Sequence, residues 1–250
     1  MLHTDLQDGT LVVRLDHGKS HALDLELSQA LAQTAREIES NADVRAVVLT
    51  GTGSIFCAGV DMFRVLDGGP EYVDSFVPSM AETLRSLFQL SRPVVAAING
   101  HAIAGGCVLA AACDYRIMAR GTGTIGVPEL TVGMPFPLVA IEILRFATSE
   151  AHLQELVYRG RTYPVEEAYE RGLVDELIEP ESLQERALEV AQQVGSEPSA
   201  RFRITKRQLR GPALELMERA HETDAEVRAA WKDPTTLDAI RRYVAGMKQR

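Results

Sequence analysis

The sequence is short of the features that mark several whole classes of protein. It has three cysteines in 250 residues, Cys57, Cys107 and Cys113, an odd count. Cys57 and Cys107 lack the Cys/His spacing of a zinc site, so no metal is expected, and the set predicts a reducing, cytoplasmic setting rather than a disulfide framework. The apolar run from Ala102 to Cys113 falls short of the roughly 20 residues a membrane helix needs and carries two glycines, so no membrane partner is expected. Basic residues are outnumbered, 26 Lys and Arg against 35 Asp and Glu, for a net charge of −9. That balance argues against a nucleic-acid partner and leaves room for an anionic ligand only through a local cluster of donors. The opening MLHTDLQDGT has no signal-peptide pattern. There is no G-x-S-x-G elbow, no H-E-x-x-H, no internal repeat and no low-complexity tract.

What is present is the material of one sizeable globular domain, with 46% apolar and 24% charged residues. A strand at Thr10 to Leu15 follows the turn signal Asp8-Gly9. Leu27, Leu31 and Ile38 then recur at helical spacing behind Asp24, a candidate N-cap. Further strands are predicted at Val44 to Thr50, Val94 to Ile98, Tyr115 to Ala119 and near Leu173 to Ile178. Tyr72, Phe76, Met80, Leu84 and Leu87 mark an amphipathic helix, and Ala104 to Ala112 a short apolar one. The alternation implies βαβ units in an α/β protein with a mainly parallel sheet. From Ser182 onward successive helices are expected, broken at Glu197-Pro198, Gly211-Pro212 and Asp233-Pro234.

Three segments carry chemistry. In Ser54 to Met62 (SIFCAGVDM), the small residues Ala58 and Gly59 let a ligand approach the backbone, whose N–H groups can donate to an oxyanion or a base. In Asn99 to Ala110 (NGHAIAGGCVLA), Gly105 and Gly106 open a helix whose free amides and dipole suit developing negative charge. In Gly126 to Pro135 (GVPELTVGMP), one carboxylate, Glu129, stands among apolar neighbours, a route to a raised pKa and a general-base role. Each has a bland counterpart: a plain turn, tight helix–sheet packing, and a solvated acid at a strand edge. Gly121 to Gly126 matches G-x-G-x-x-G, but Val127-Pro128 and β-leaning Leu130 to Val132 follow it instead of a helix, so a dinucleotide site is not expected.

Taken together, FCAGVDM, AINGHAIAGGCVLAAACDYRIMA and IGVPELTVG, in this order, resemble the crotonase (enoyl-CoA hydratase/isomerase) superfamily over nearly the whole chain. The helical tail with Ile204-Thr205-Lys206 is similar to that of the superfamily, and AGGC before CDYRI and the closing KDPTTLDAIRRYVAGMK are most similar to the Δ3,Δ2-enoyl-CoA isomerase branch. The resemblance implies a ββα spiral core over 1–195 and a C-terminal helical region over 196–250 that makes a homotrimer or hexamer. It implies an acyl-CoA thioester substrate, no separate cofactor, and an oxyanion hole made by the N–H groups of Ala58 and Gly105. It gives Lys19, His21, Ala22, Cys57, Gly59, Val60, Asp61, Met62, Gly106, Val108 and Phe136 as substrate-binding candidates. Lys19 and the run Arg201, Arg203, Lys206, Arg207 are candidates for the CoA phosphates. Hydratases of this family carry two glutamates; here the first position is Val108 and only the second, Glu129, is acidic. One acid suffices to move a proton from C2 to C4, so an isomerase is expected. The alternatives are another crotonase-type reaction (hydration, decarboxylation, thioester hydrolysis) or a non-catalytic CoA-ester-binding oligomer.

Overall fold

A computed structural model describes residues 1–196, 199–219 and 221–247. The chain opens with a hairpin, β1 (Leu2–Gln7) antiparallel to β2 (Thr10–Leu15). Its turn residues Asp8 and Gly9 both have positive φ, 47° and 82°, the twist a two-residue hairpin prefers. Helix α1 (Leu25–Ser40) starts where the sequence predicts: Asp24 is extended and its carboxylate accepts the Leu27 N–H at 2.8 Å.

Three successive units then repeat one plan, with a strand in each of two sheets followed by a helix. The first is β3 (Ala46–Gly51), β4 (Ile55–Cys57) and α2 (Met62–Gln89). The second is β5 (Val94–Ile98), β6 (His101–Ile103) and α3 (Gly105–Ala111). The third is β7 (Tyr115–Ala119), β8 (Thr124–Gly126) and α4 (Glu129–Val132). This is the ββα spiral implied by the resemblance. Helices α5 (Leu138–Ala147) and α6 (Glu150–Arg159) lead to β9 (Thr162–Pro164), α7 (Val165–Glu170) and β10 (Glu176–Ile178). Helices α8 (Leu183–Gly195), α9 (Ser199–Glu218), α10 (His221–Lys232) and α11 (Pro234–Met247) follow.

The larger sheet runs β1-β2-β3-β5-β7-β10 and is parallel except at the β1–β2 pair; the smaller runs β4-β6-β8-β9. Every residue of β3 and β5 is buried, as expected of strands covered on both faces. Val12, Val48, Val95 and Ile117 face Leu183, Ala187 and Val190 of α8, while Val13, Leu49, Ala96 and Met118 face the main core. The long helix α2 is two helices joined at Gly69 (φ 62°, ψ −156°), where Pro70 restarts the second. The amphipathic stripe from Tyr72 onward is that second segment.

Two expectations about the chain's breaks need revision. Gly211-Pro212 does not end a helix, for α9 runs through it. The carbonyl that Pro212 leaves without a helical partner belongs to Gln208, an exposed residue. Leu130 to Val132 form a helical turn rather than a strand, closed by left-handed Gly133 (φ 91°). The Asp233-Pro234 break is present between α10 and α11. The Glu197-Pro198 break lies outside the described residues. G-x-G-x-x-G overlaps strand β8 itself, so it has no strand–loop–helix setting.

Candidate active site

A cleft of about 290 Å³ opens where the spiral's loops meet the C-terminal helix. The loop after β2 supplies Ser20 and Ala22, the segment after β4 supplies Ala58, Val60 and Asp61, and the start of α2 adds Met62 and Phe63. Ile103 and Ala104 enter before α3, Pro128 before α4, and Tyr243 and Val244 from α11.

Why these loops converge follows from backbone pairing. Leu23 and Val60 form an isolated parallel bridge, with Leu23 N–H to Gly59 O at 2.6 Å and Asp61 N–H to Leu23 O at 2.9 Å. The residue between two such bonds turns its own N–H to the opposite side. The Val60 N–H accordingly has no acceptor among the described residues. Ala58 is in the other phase: its N–H is engaged, donating to Ser20 O at 3.0 Å. The expected donor at Ala58 is thus occupied, and the bare amide of this segment belongs to Val60.

The opposing bare amides come from α3. Ala104 holds φ 55° and ψ −127°, a conformation rare for a residue with a Cβ, and its N–H is tied to Gly126 O at 2.8 Å. Its carbonyl accepts from Cys107 and Val108, leaving the Gly105 and Gly106 N–H groups without acceptors among the described residues. Glycine is required here by contact. A Cβ on Gly59 would lie 3.1 Å from Gly105 N and 2.6 Å from the Ala104 Cβ, and one on Gly106 would lie 2.0 Å from Cys57 O. Backbone therefore meets backbone at 59 and 105.

Glu129 follows Pro128 as the first residue of α4. Its Oε2 is fully buried and has no hydrogen-bond partner among the described residues. Burial pushes its pKa up to about 8 from an ordinary 4.5, opposed only by a bond to its own backbone. Glu129 sits behind Pro128, which lines the cleft, and Asp61 is the only carboxylate among the lining residues themselves. It is committed as the N-cap of α2, accepting the N–H groups of Phe63 and Arg64 at 3.0 and 3.1 Å. Glu142, on α5, is buried beside Arg145 at 3.3 Å and lines no part of the cleft.

The other candidates divide. Ala22, Val60, Asp61 and Met62 line the cleft, and Lys19 is exposed in the same loop as Ser20. His21 does not fit a substrate-contacting role. It is buried with φ 50°, Nδ1 accepting the His17 N–H at 3.1 Å and Nε2 bonded to Thr52 O at 2.9 Å, so it clamps the loop. Val108, Cys57 and Phe136 are core side chains, not lining ones, because each packs into the main apolar cluster. Gly59 and Gly106 act through the space they leave. Burial pushes the Cys57 thiol up to about 12, so it is no nucleophile at neutral pH.

The basic run is elsewhere. Lys206 is buried with Nζ 2.7 Å from Asp114 and beside Arg92 O, so its ion pair fixes α9 to the core and does not reach this cleft. Arg203 and Arg207 line a different cavity. Sequence reasoning missed Tyr243 and Val244. Their signal was the apolar spacing Ile240, Tyr243, Val244, a helix face that the sequence alone assigned to no partner.

The chain matches the enoyl-CoA hydratase/isomerase family model over residues 5–244. It is 33% identical over 194 residues, 76% of each chain, to a putative enoyl-CoA hydratase of Thermus thermophilus. It is 32% identical over 201 residues to the carnitinyl-CoA dehydratase of Salmonella typhi, covering 80% of this chain and 76% of that one. Its fold superposes on that of human mitochondrial Δ3,Δ2-enoyl-CoA isomerase with a TM-score of 0.95 at 24% identity, spanning 99% and 98% of the two chains.

Proposed function

Because the chain belongs to the enoyl-CoA hydratase/isomerase family, we propose that it moves the double bond of a 3-enoyl-CoA to the 2-trans position, with Glu129 as the sole proton carrier. The reading rests on one observation: a carboxylate whose buried oxygen is unpaired among the described residues adjoins Pro128, in the wall of a cleft that carries bare amides and, among its lining residues, no uncommitted acid.

The Glu129 carboxylate takes a proton from C2, made acidic by the thioester. The C–H electrons form the C1–C2 π bond of an enolate and its oxygen becomes negative. The N–H groups of Val60 and Gly105 hold that oxygen. This pair replaces Ala58 and Gly105 because the Ala58 donor is engaged by Ser20. Donors fixed by the fold cost no reorganisation when charge appears, and one is worth about 2.7–4 kcal/mol of barrier. The enolate then collapses, the C3–C4 double bond becomes C2–C3, and C4 takes the proton back from Glu129. The carboxylate is regenerated, so the step needs no redox or metal cofactor, and CoA is part of the substrate. Apolar Val108, where hydratases carry an acid, denies water a second polarising group. Lys19, exposed at the cleft's edge, faces the phosphates of CoA in this reading.

The relatives' names favour a second reading, hydration of a 2-enoyl-CoA. It requires an acid opposite Glu129 to activate water, and Asp61 is spent on the N-terminus of α2. Offering 3-enoyl- and 2-enoyl-CoA separately decides between them. Loss of the 3-enoyl ester with gain of the conjugated product supports isomerisation, and its abolition in Glu129→Gln with CoA-ester binding retained assigns the proton carrier. Near-full turnover by the Gln variant, or consumption of the 2-enoyl ester alone, overturns the proposal.

A further inference from the structure

A second cleft, of about 400 Å³, lies between the C-terminal end of α2 and α9. It is on the order of 30 Å along α2 from Met62 and Phe63, so it shares no wall with the catalytic cleft. Its lining carries Arg203, Lys206, Arg207 and Arg210 against a single carboxylate, Glu39. This concentration of cations stands out in a chain of net charge −9.

Its pairing is incomplete. Lys206 and Arg210 are both buried and both pair with Asp114, at 2.7 and 2.9 Å, so two cations share one carboxylate. Arg210 also donates to Ala112 O and Cys113 O and stacks on the Phe88 ring at 4.1 Å. Glu39 is spent on the N–H and hydroxyl of Ser91. That leaves Arg203 and Arg207, one helical turn apart and both exposed, with no acceptor among the described residues. Two like charges at this spacing repel each other, and nothing in the described chain offsets it. Guanidinium forks bind phosphate through paired N–H groups, and neighbouring forks suit neighbouring phosphates. Half-buried Leu214 provides apolar wall beside them.

We propose that this cleft binds a small organic diphosphate, with the two phosphates held by Arg203 and Arg207 and the apolar body lying against Leu214. The site is independent of the acyl-CoA chemistry, and its test does not use turnover. Calorimetric titration of the full chain at about 0.15 M salt, with geranyl diphosphate and inorganic pyrophosphate as probes, should show one equivalent bound. The geranyl ester should bind more tightly than pyrophosphate. Each charge-assisted contact supports a loss of about tenfold or more in Arg203→Ala and in Arg207→Ala. Both side chains are exposed, so the variants should keep the parent's circular dichroism spectrum. Filling the catalytic cleft with an unreactive acyl-pantetheine thioether, which carries no phosphate, should leave diphosphate binding unchanged. Absence of binding, equal affinity in the variants, displacement by the thioether, or citrate binding as tightly as the diphosphates would each overturn the assignment.

Discussion

The two ends of helix α3 treat their polar groups in opposite ways. At the N-terminal end, among the described residues, the Gly105 and Gly106 N–H groups have no acceptors, and nearby Glu129 holds a buried oxygen with no donor. Beyond the C-terminal end, about 10 Å away, Ala112 O and Cys113 O both accept from Arg210, and Asp114 receives the Val94 N–H, Lys206 and Arg210. Buried polar groups are normally satisfied because an orphan costs about 1–3 kcal/mol. The C-terminal end follows that rule and fastens α9 to the core. The N-terminal end breaks it on one small surface, beside Ala104, whose strained backbone is another cost of order 1–3 kcal/mol. The contrast separates a region that holds the fold from one kept ready for a substrate's charge.

The contrast can be broken at either end. The largest effect is expected from Glu129→Gln, which should lower isomerase turnover by about 10²- to 10⁴-fold, the usual contribution of general acid–base catalysis, as read by conjugated-product absorbance. At the other end, Asp114→Asn leaves two buried cations without their carboxylate and should cost about 3–5 kcal/mol of stability in urea titration, while substrate turnover by the folded fraction persists. Gly106→Ala tests the link between them. Its methyl would meet Cys57 O at 2.0 Å, so α3 must shift, with a loss of about 1–3 kcal/mol and a fall in kcat larger than any change in KM.

The pH dependence sharpens the same distinction. The proposed role requires Glu129 as a carboxylate, and its folded pKa is about 8, so kcat/KM should fall about tenfold per unit below pH 8. Between 4.5 and 8 the folded chain keeps a proton the unfolded chain has lost. This group's contribution to stability therefore declines as pH rises through that window, and Glu129→Gln should flatten the slope. The smallest effect is expected at Tyr243, which lines the cleft at 38% exposure. Tyr243→Phe should leave stability within about 0.5 kcal/mol, and Tyr243→Ala should raise KM a few-fold with kcat retained.

Much of this was legible in the residue order. The strand runs, the Asp24 cap, the glycines at 59, 105 and 106 as places of close backbone approach, and an acid set among Val127, Leu130 and Val132 follow from short-range chemistry. What was not legible depends on partners distant in the chain. Whether Ala58 or Val60 keeps a bare N–H is fixed by the register against Ser20 and Leu23, about which the local sequence is silent. The ring of His21 is claimed by Thr52, and the charge of Lys206 by Asp114, 92 positions away. Pro212 continues a helix because its orphaned carbonyl is at the surface. Tyr243 joins the cleft only when α11 packs back onto α2 and α4.

The bare amides of Val60 and Gly105 have one more implication. They are main-chain atoms, so exchange of one side chain for another leaves the donors in place, provided that the new group is small enough for the two segments to keep their approach. Only a change that removes the hydrogen itself, such as proline or an ester link at either position, deletes a donor outright. Mutational drift can thus replace what surrounds the thioester oxygen far more easily than what grips it.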